Sequence, residues 1–197
     1  LFQQLSGLGP ATKLKRLLQS PFKLHPGLNK KIEREAKLAR AGKPARIIIK
    51  INAINEPRII RALYTASQAG VKIDMIVRGA CALRPGVPGI SDNIRVRSIV
   101  GRFLEHSRIY WFGNDGDPEL YCASADWLER NLLHRVETCF PILDEDLAAR
   151  VYREALQNYL DDNTNAWELD KDGEYHKLSP AEGEAPYSAQ GALLSKV

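Results

Sequence analysis

The stretch Ala45-Arg-Ile-Ile-Ile-Lys-Ile-Asn-Ala-Ile54, then Glu56-Pro57 through Ala69-Gly70, then Val71-Lys-Ile-Asp-Met-Ile-Val-Arg78-Gly79, decides the fold class. Its first segment is an apolar, β-branched run, the pattern of a strand covered on both faces. Pro57 suits the first turn of a helix, Ile59, Ile60, Leu63 and Ala66 recur at helical spacing, and Gly70 closes the element. Val71–Gly79 reads as a second strand. A strand, a helix of roughly 13 residues and a strand imply parallel pairing through a right-handed crossover. The class is therefore α/β, with a mixed sheet flanked by helices. Ligands in such open sheets gather beyond the carboxyl ends of the parallel strands. Lys50, Asn52 and Arg78 lie toward those ends. Each reads about equally well there as a ligand contact or as a strand-end group in solvent.

Downstream, residues 79–93 carry Gly79, Gly86, Gly89, Pro85 and Pro88 and predict a long irregular loop, a common carrier of function. Arg95 and Arg97 alternate with Ile94 and Val96, so a strand follows; residues 98–105 fit a short helix or more strand equally. From His106 the segment His-Ser-Arg108-Ile-Tyr-Trp-Phe112 reads as a strand ending at the turn Gly113–Pro118. Alternation puts His106, Arg108, Tyr110 and Phe112 on one face, with Ser107, Ile109 and Trp111 on the other. A histidine and an arginine aimed into one space suit an anionic phosphate. An ordinary half-exposed strand accounts for them as well. Glu119–Ser124 is the hairpin partner, Ser124–Asn131 a turn or helical piece, and Val136–Leu143 strand again. Asp144–Leu160 is a helix with Leu147, Val151, Ala155 and Tyr159 on one stripe.

Upstream, residues 10–19 predict a short helix with Leu14, Leu17 and Leu18 on one face; His25-Pro26-Gly27 marks a break, and an amphipathic helix runs from about Leu28 to Ala41. Three parts result: a helical lead-in at 1–44, the sheet domain at 45–160, and an irregular, acidic, turn-rich tail at 161–197 that lies across the domain by Trp167 and Tyr175.

The 197 residues suffice for one core plus extensions, and 44% hydrophobic with 26% charged residues describes a globular protein. No apolar run approaches a membrane span. Beginning on Leu1 in mid-pattern, the chain reads as a piece of something longer. Cys81, Cys122 and Cys139 lack metal or redox spacing and are expected as free thiols of a cytoplasmic protein. The net charge of +4 is unevenly spread: residues 1–50 hold 12 Lys/Arg against two Glu, and residues 161–197 hold eight acids against three Lys. A basic flank suits an anionic partner, or is simply a solvated face.

Motif chemistry narrows the field. His25, His106, His134 and His176 are scattered and no cysteine neighbours another, so no metal site is expected. The glycines of 79–89 lack a Lys-Ser/Thr ending, and no serine stands in a nucleophile elbow. What remains is a cationic cluster of Lys50, Arg78, Arg97, His106 and Arg108. Several cations around one histidine fit phosphoryl binding or transfer better than proton abstraction from carbon.

Ile49-Lys50-Ile-Asn52-Ala, Gln68–Gly79, Gly89–His106 and Ser124-Ala-Asp126-Trp-Leu-Glu-Arg130-Asn131 resemble the C-terminal part of the polyphosphate kinases, from about residue 5 to 160; Trp167, Asp172-Gly173 and Tyr175 match as well. That family in turn resembles the phospholipase D superfamily, whose two halves each bring a His-x-Lys motif to a shared centre. His106-Ser-Arg108 is similar to the second half's motif, and Ser124, Asp126 and Glu137 to the downstream supporting positions. Arg108 stands where the superfamily has lysine and Asp126 where the phospholipases carry asparagine, which weakens any inference of phosphodiesterase chemistry. The chain holds no second His-x-Lys motif.

The resemblance implies a phospholipase D-like fold and reversible transfer of the terminal phosphoryl of ATP to polyphosphate, through a phosphohistidine on a preceding domain. It implies His106 as the opposing histidine, Arg78 and His106 as nucleotide-phosphate contacts, and Lys50, Asn52, Arg97 and Arg108 along the anionic path. ATP with Mg2+, ADP and polyphosphate are the expected ligands. A homo-oligomer of the full-length chain and peripheral association with membranes are compatible with it, and no specific nucleic acid is expected. Two rivals are a phosphodiesterase or nuclease that pairs two copies of His106, and a polyanion-binding module without chemistry.

Overall fold

The computed structural model describes residues 14–196. One mixed sheet organises them, with strands β1 (Leu18–Ser20), β2 (Arg46–Ile51), β3 (Lys72–Val77), β4 (Ile94–Ile99), β5 (Ile109–Phe112), β6 (Glu119–Ala123), β7 (Glu137–Pro141), β8 (Ala166–Leu169) and β9 (Tyr175–Lys177). Their spatial order is β1-β7-β6-β5-β2-β3-β4-β8-β9. β2, β3 and β4 run parallel and every other pairing is antiparallel. The expected crossover helix is α2 (Pro57–Gln68), capped by Glu56, whose carboxylate accepts from Ile59 N at 2.7 Å. It follows α1 (Leu24–Arg40).

Strand alternation divides the core in two. Ile47, Ile49 and Ile51 face α1 and α2, together with Met75, Tyr110 and Phe112. Ile48, Ile76 and Ile109 face the opposite layer with Leu156, Tyr159 and Leu160. Those last three belong to α3, which starts at Glu145–Tyr152, passes through a π-helical turn at Arg153–Gln157 and ends at Asn158–Leu160. The π turn adds a residue to the repeat and rotates the buried face. The stripe expected from Leu147 nevertheless holds for Val151, Ala155 and Tyr159, which pack in this layer, while Leu147 itself is exposed.

Four expectations need correction. Residues 14–19 form no helix (10–13 lie outside the described residues); Leu18–Ser20 instead pairs with Glu137–Cys139. His25-Pro26-Gly27 is no break but the first turn of α1, where a missing proline N–H costs no hydrogen bond. Residues 100–108 form neither helix nor strand, and the strand expected from His106 begins at Ile109. The tail is irregular only in part: β8 adds to the β4 edge, β9 pairs with β8, and α4 (Ala189–Leu194) follows after the irregular residues 178–188. Segments from both flanks thus contribute to the sheet. The 79–93 loop, the β5–β6 hairpin and β7 stand as expected. The three cysteines are free thiols, and burial pushes the Cys139 thiol up to about 12.

Candidate active site

The carboxyl ends of β2 and β3 are brought close by main-chain bonds: Arg78 N donates to Ile51 O at 3.2 Å and Gly79 N to Asn52 O at 2.8 Å. A Cβ on Gly79 would lie 3.3 Å from that same oxygen, so the position favours glycine. Arg78 leaves the sheet here and reaches the loop 100–108. Its Nη1 donates to Glu105 O at 3.1 Å and lies 3.3 Å from His106 Nδ1. A guanidinium only donates, so Nδ1 is the acceptor and the neutral imidazole carries its proton on Nε2. His106 is exposed and Arg78 half-buried.

Arg108 enters β5 directly behind. Its Nη1 donates to His106 O at 3.1 Å, while Nε and Nη2 donate to the two carboxylate oxygens of Asp126 at 3.2 and 3.1 Å. Asp126 Oδ1 also accepts from Asn52 N at 2.7 Å and Asn52 Nδ2 at 3.0 Å. The turn bearing Asp126 is fixed from below. Tyr110, fully buried, donates its hydroxyl to Ala125 O at 2.5 Å, and Trp127 exchanges main-chain bonds with Ala53, Asn55 and Glu56. Beside it Ser124 bonds Glu137, whose other oxygen accepts from Asn131 Nδ2 at 2.5 Å. One sheet edge therefore collects Arg78, His106, Arg108, Asp126 and Asn52, with Ser124 and Glu137 in support.

Lys50 and Arg97 are not brought there. Lys50 points into the α3 face, where its Nζ bonds Glu105 Oε2 at 2.7 Å and sits 3.4 Å from the centre of the Tyr159 ring. Burial lowers its pKa, and the Glu105 bond works the other way. Arg97 is 3% exposed; its Nη1 donates to the carbonyls of Tyr159, Leu160 and Asp162, and its Nη2 to Glu168 at 2.8 Å. Burial lowers its pKa too. It closes the end of α3 rather than lining an anionic path. Sequence reasoning missed Glu105, Tyr159 and Gln190, which surround Lys50 or hold the His106 loop. Adjacency to His106 was the single available sign for Glu105; Gln190 arrives from the tail without any local signature.

Two cavities flank the loop. One of about 350 Å³ is lined by Arg78 and residues 99–105; one of about 450 Å³ is lined by Phe103, His106, Tyr159, Gln190 and Leu194 among others. A larger cavity of about 570 Å³ lies by Trp111, Pro118 and Tyr152 and includes no histidine. Among the described residues no group of three His, Cys, Asp or Glu could hold a metal, and no helix is long and apolar enough to cross a membrane.

Residues 17–190 match the family described as polyphosphate kinase C-terminal domain 2. The chain belongs to this family. It is similar to the polyphosphate kinase of Xylella fastidiosa (strain 9a5c), 70% identical over all 197 residues, and to that of Pseudomonas aeruginosa, 56% identical over the same span. It spans 28% of the length of each of these relatives. The crystal structure of polyphosphate kinase from Porphyromonas gingivalis superposes with a TM-score of 0.94 at 37% identity, over 99% of this chain and 30% of that one. A phospholipase D family member, Nuc from Salmonella typhimurium, superposes with a TM-score of 0.57 at 13% identity, over 79% of this chain and 97% of that one. That second likeness fixes the fold as phospholipase D-like. This chain thus presents Arg78, His106 and Arg108 at the carboxyl edge of a phospholipase D-like sheet.

Proposed function

We propose that this chain is the C-terminal catalytic part of a polyphosphate kinase, presenting one side of a site that reversibly moves the terminal phosphoryl of ATP onto polyphosphate. In this reading a histidine of a preceding domain carries the phosphoryl between ATP and the polymer. His106 faces the transferring group from this side. The observation that carries the proposal is the Arg78–His106 pair. Arg78 holds Nδ1, which leaves the Nε2 proton to donate to a phosphoryl or leaving-group oxygen. Among the described residues only Nη1 of Arg78 has partners, so its remaining donors are available to phosphate oxygens. Magnesium belongs with ATP as part of the substrate. The nearby carboxylates already serve Arg108, Lys50 and Asn131, so the ion would stay on the phosphates.

The phosphodiesterase reading fares worse, because Arg108, at the superfamily lysine position, is paired with Asp126 through Nε and Nη2 and with the His106 carbonyl through Nη1, and is not offered to a diester. Polymer formation from ATP and magnesium tests the proposal. The longer protein should synthesise polyphosphate and the 197-residue chain alone should not. Robust synthesis by the isolated chain would overturn the shared-site reading and make His106 itself the nucleophile.

A further inference from the structure

The loop carrying His106 lacks an apolar anchor of its own. Val100, Phe103 and Leu104 are 61%, 47% and 75% exposed, and cavities open on both sides. What holds it is polar, and much of that comes from one tail residue. Gln190, 6% exposed, accepts from Phe103 N at 3.0 Å through Oε1 and donates from Nε2 to Phe103 O at 2.8 Å and to Glu105 Oε1 at 2.7 Å. Both amide hydrogens and the carbonyl are thereby used, so the carboxamide holds the Phe103 peptide as a neighbouring strand would. The other oxygen of Glu105 binds Lys50, and its main-chain carbonyl receives Arg78.

Gln190 is itself held. Ala189 N donates to Asp162 Oδ2 at 2.8 Å, Asn158 Nδ2 donates to Ala189 O at 3.0 Å, and Arg97 bonds the Asp162 carbonyl. The fit is tight from the loop side: a Cβ on Gly101 would come within 2.4 Å of Gln190 Oε1, although Gly101 has a backbone open to any residue.

We infer that Gln190 is a positioning residue for phosphoryl transfer, clamping the Phe103–Glu105 segment so that the adjacent His106 meets Arg78 and the transferring group. The inference rests on the reading of His106 above. It touches no substrate and acts through the loop, so its loss should lower turnover while leaving ATP contacts made outside the loop intact.

Four variants of the full-length enzyme, assayed with ATP and magnesium, test it: Gln190→Ala, Gly101→Ala, the double variant and His106→Ala. Misplacing a reacting group by about 1 Å can cost 100-fold, so Gln190→Ala is expected to lower kcat about 10-fold or more. KM for ATP should stay within about threefold, the signature of a contribution made in the transition state. Gly101→Ala should lower kcat as well, by pushing the carboxamide aside. The double variant should be no worse than Gln190→Ala, because the added methyl then occupies vacated space. If Gln190→Ala does not fold, Gly101→Ala alone decides: a folded Gly101→Ala enzyme with unchanged kcat overturns the inference. Wild-type kcat in Gln190→Ala, or fully additive losses in the double variant, overturns it too. When His106→Ala is inactive in either case, only the positioning role has failed. An active His106→Ala enzyme instead sinks the reading beneath it.

Discussion

Arg78 lies one residue beyond β3 and Arg97 on the neighbouring parallel β4, both toward the carboxyl edge, and residue type and strand position alone do not separate them. The structure separates them completely. Arg97 is enclosed, with Nη1 on three carbonyls at the end of α3 and Nη2 on Glu168. Arg78 is half-buried, uses one nitrogen on Glu105 O and His106, and keeps its other donors. Lys50 repeats the Arg97 pattern, a buried cation matched by Glu105 and the Tyr159 ring. Being cationic near the site does not offer a residue to a ligand; Arg78 keeps donors with which to bind one, and Arg97 and Lys50 are matched within the protein.

The largest expected effect belongs to the enclosed member. Arg97→Ala leaves carbonyls at the end of α3 and the Glu168 carboxylate without their donor, a loss of about 3–4 kcal/mol in unfolding free energy. Denaturant unfolding measures it. A loss below about 1 kcal/mol would mean water satisfies those groups and would erase the contrast with Arg78.

Next comes His106→Ala, expected to reduce transfer by the full-length enzyme about 100-fold or more, the range of a positioned acid or base. Because His106 is exposed, stability should move by less than about 0.5 kcal/mol. Arg78→Ala follows, at roughly 10- to 100-fold in rate or ATP affinity for one charge-assisted contact. Kinetics and melting of the same preparations sharpen the comparison, since Arg97→Ala should act on stability and Arg78→Ala on catalysis. An Arg78→Ala enzyme with wild-type kinetics but a lowered melting temperature would reverse the assignment.

What could be read beforehand divides along the same line. The β2–α2–β3 unit was legible because Ile47–Ile51, the Pro57 start and the Gly70 stop all state one local answer. Arg78, His106 and Arg108 could be named because a strand end, a histidine and a resemblance converged on them. The tail could not, because Ala166–Leu169 is four residues among turn formers and becomes a strand only through the β4 edge. Nor could the enclosure of Arg97 and Lys50 be foreseen. Alternation shows that both leave the α1 face, but what fills the opposite face is α3, 62 residues beyond Arg97.

The smallest effects test the loop residue by residue. Arg108 holds Asp126 with two nitrogens and the His106 carbonyl with a third. Arg108→Lys keeps the charge and one contact but loses the planar fork, so the site should loosen by about one or two ordinary hydrogen bonds, roughly 5- to 10-fold in rate. Ser107 is exposed and makes no side-chain hydrogen bond among the described residues. Ser107→Ala should therefore be silent, within about 0.5 kcal/mol of wild type in stability and unchanged in rate. Steady-state kinetics on both variants, set beside His106→Ala, completes the series. A crippled Ser107→Ala enzyme with an active His106→Ala enzyme would place the reacting face on the α3 side of the loop, where Lys50 and Tyr159 lie. Arg78 would then be the residue held for structure, and the contrast with Arg97 would collapse.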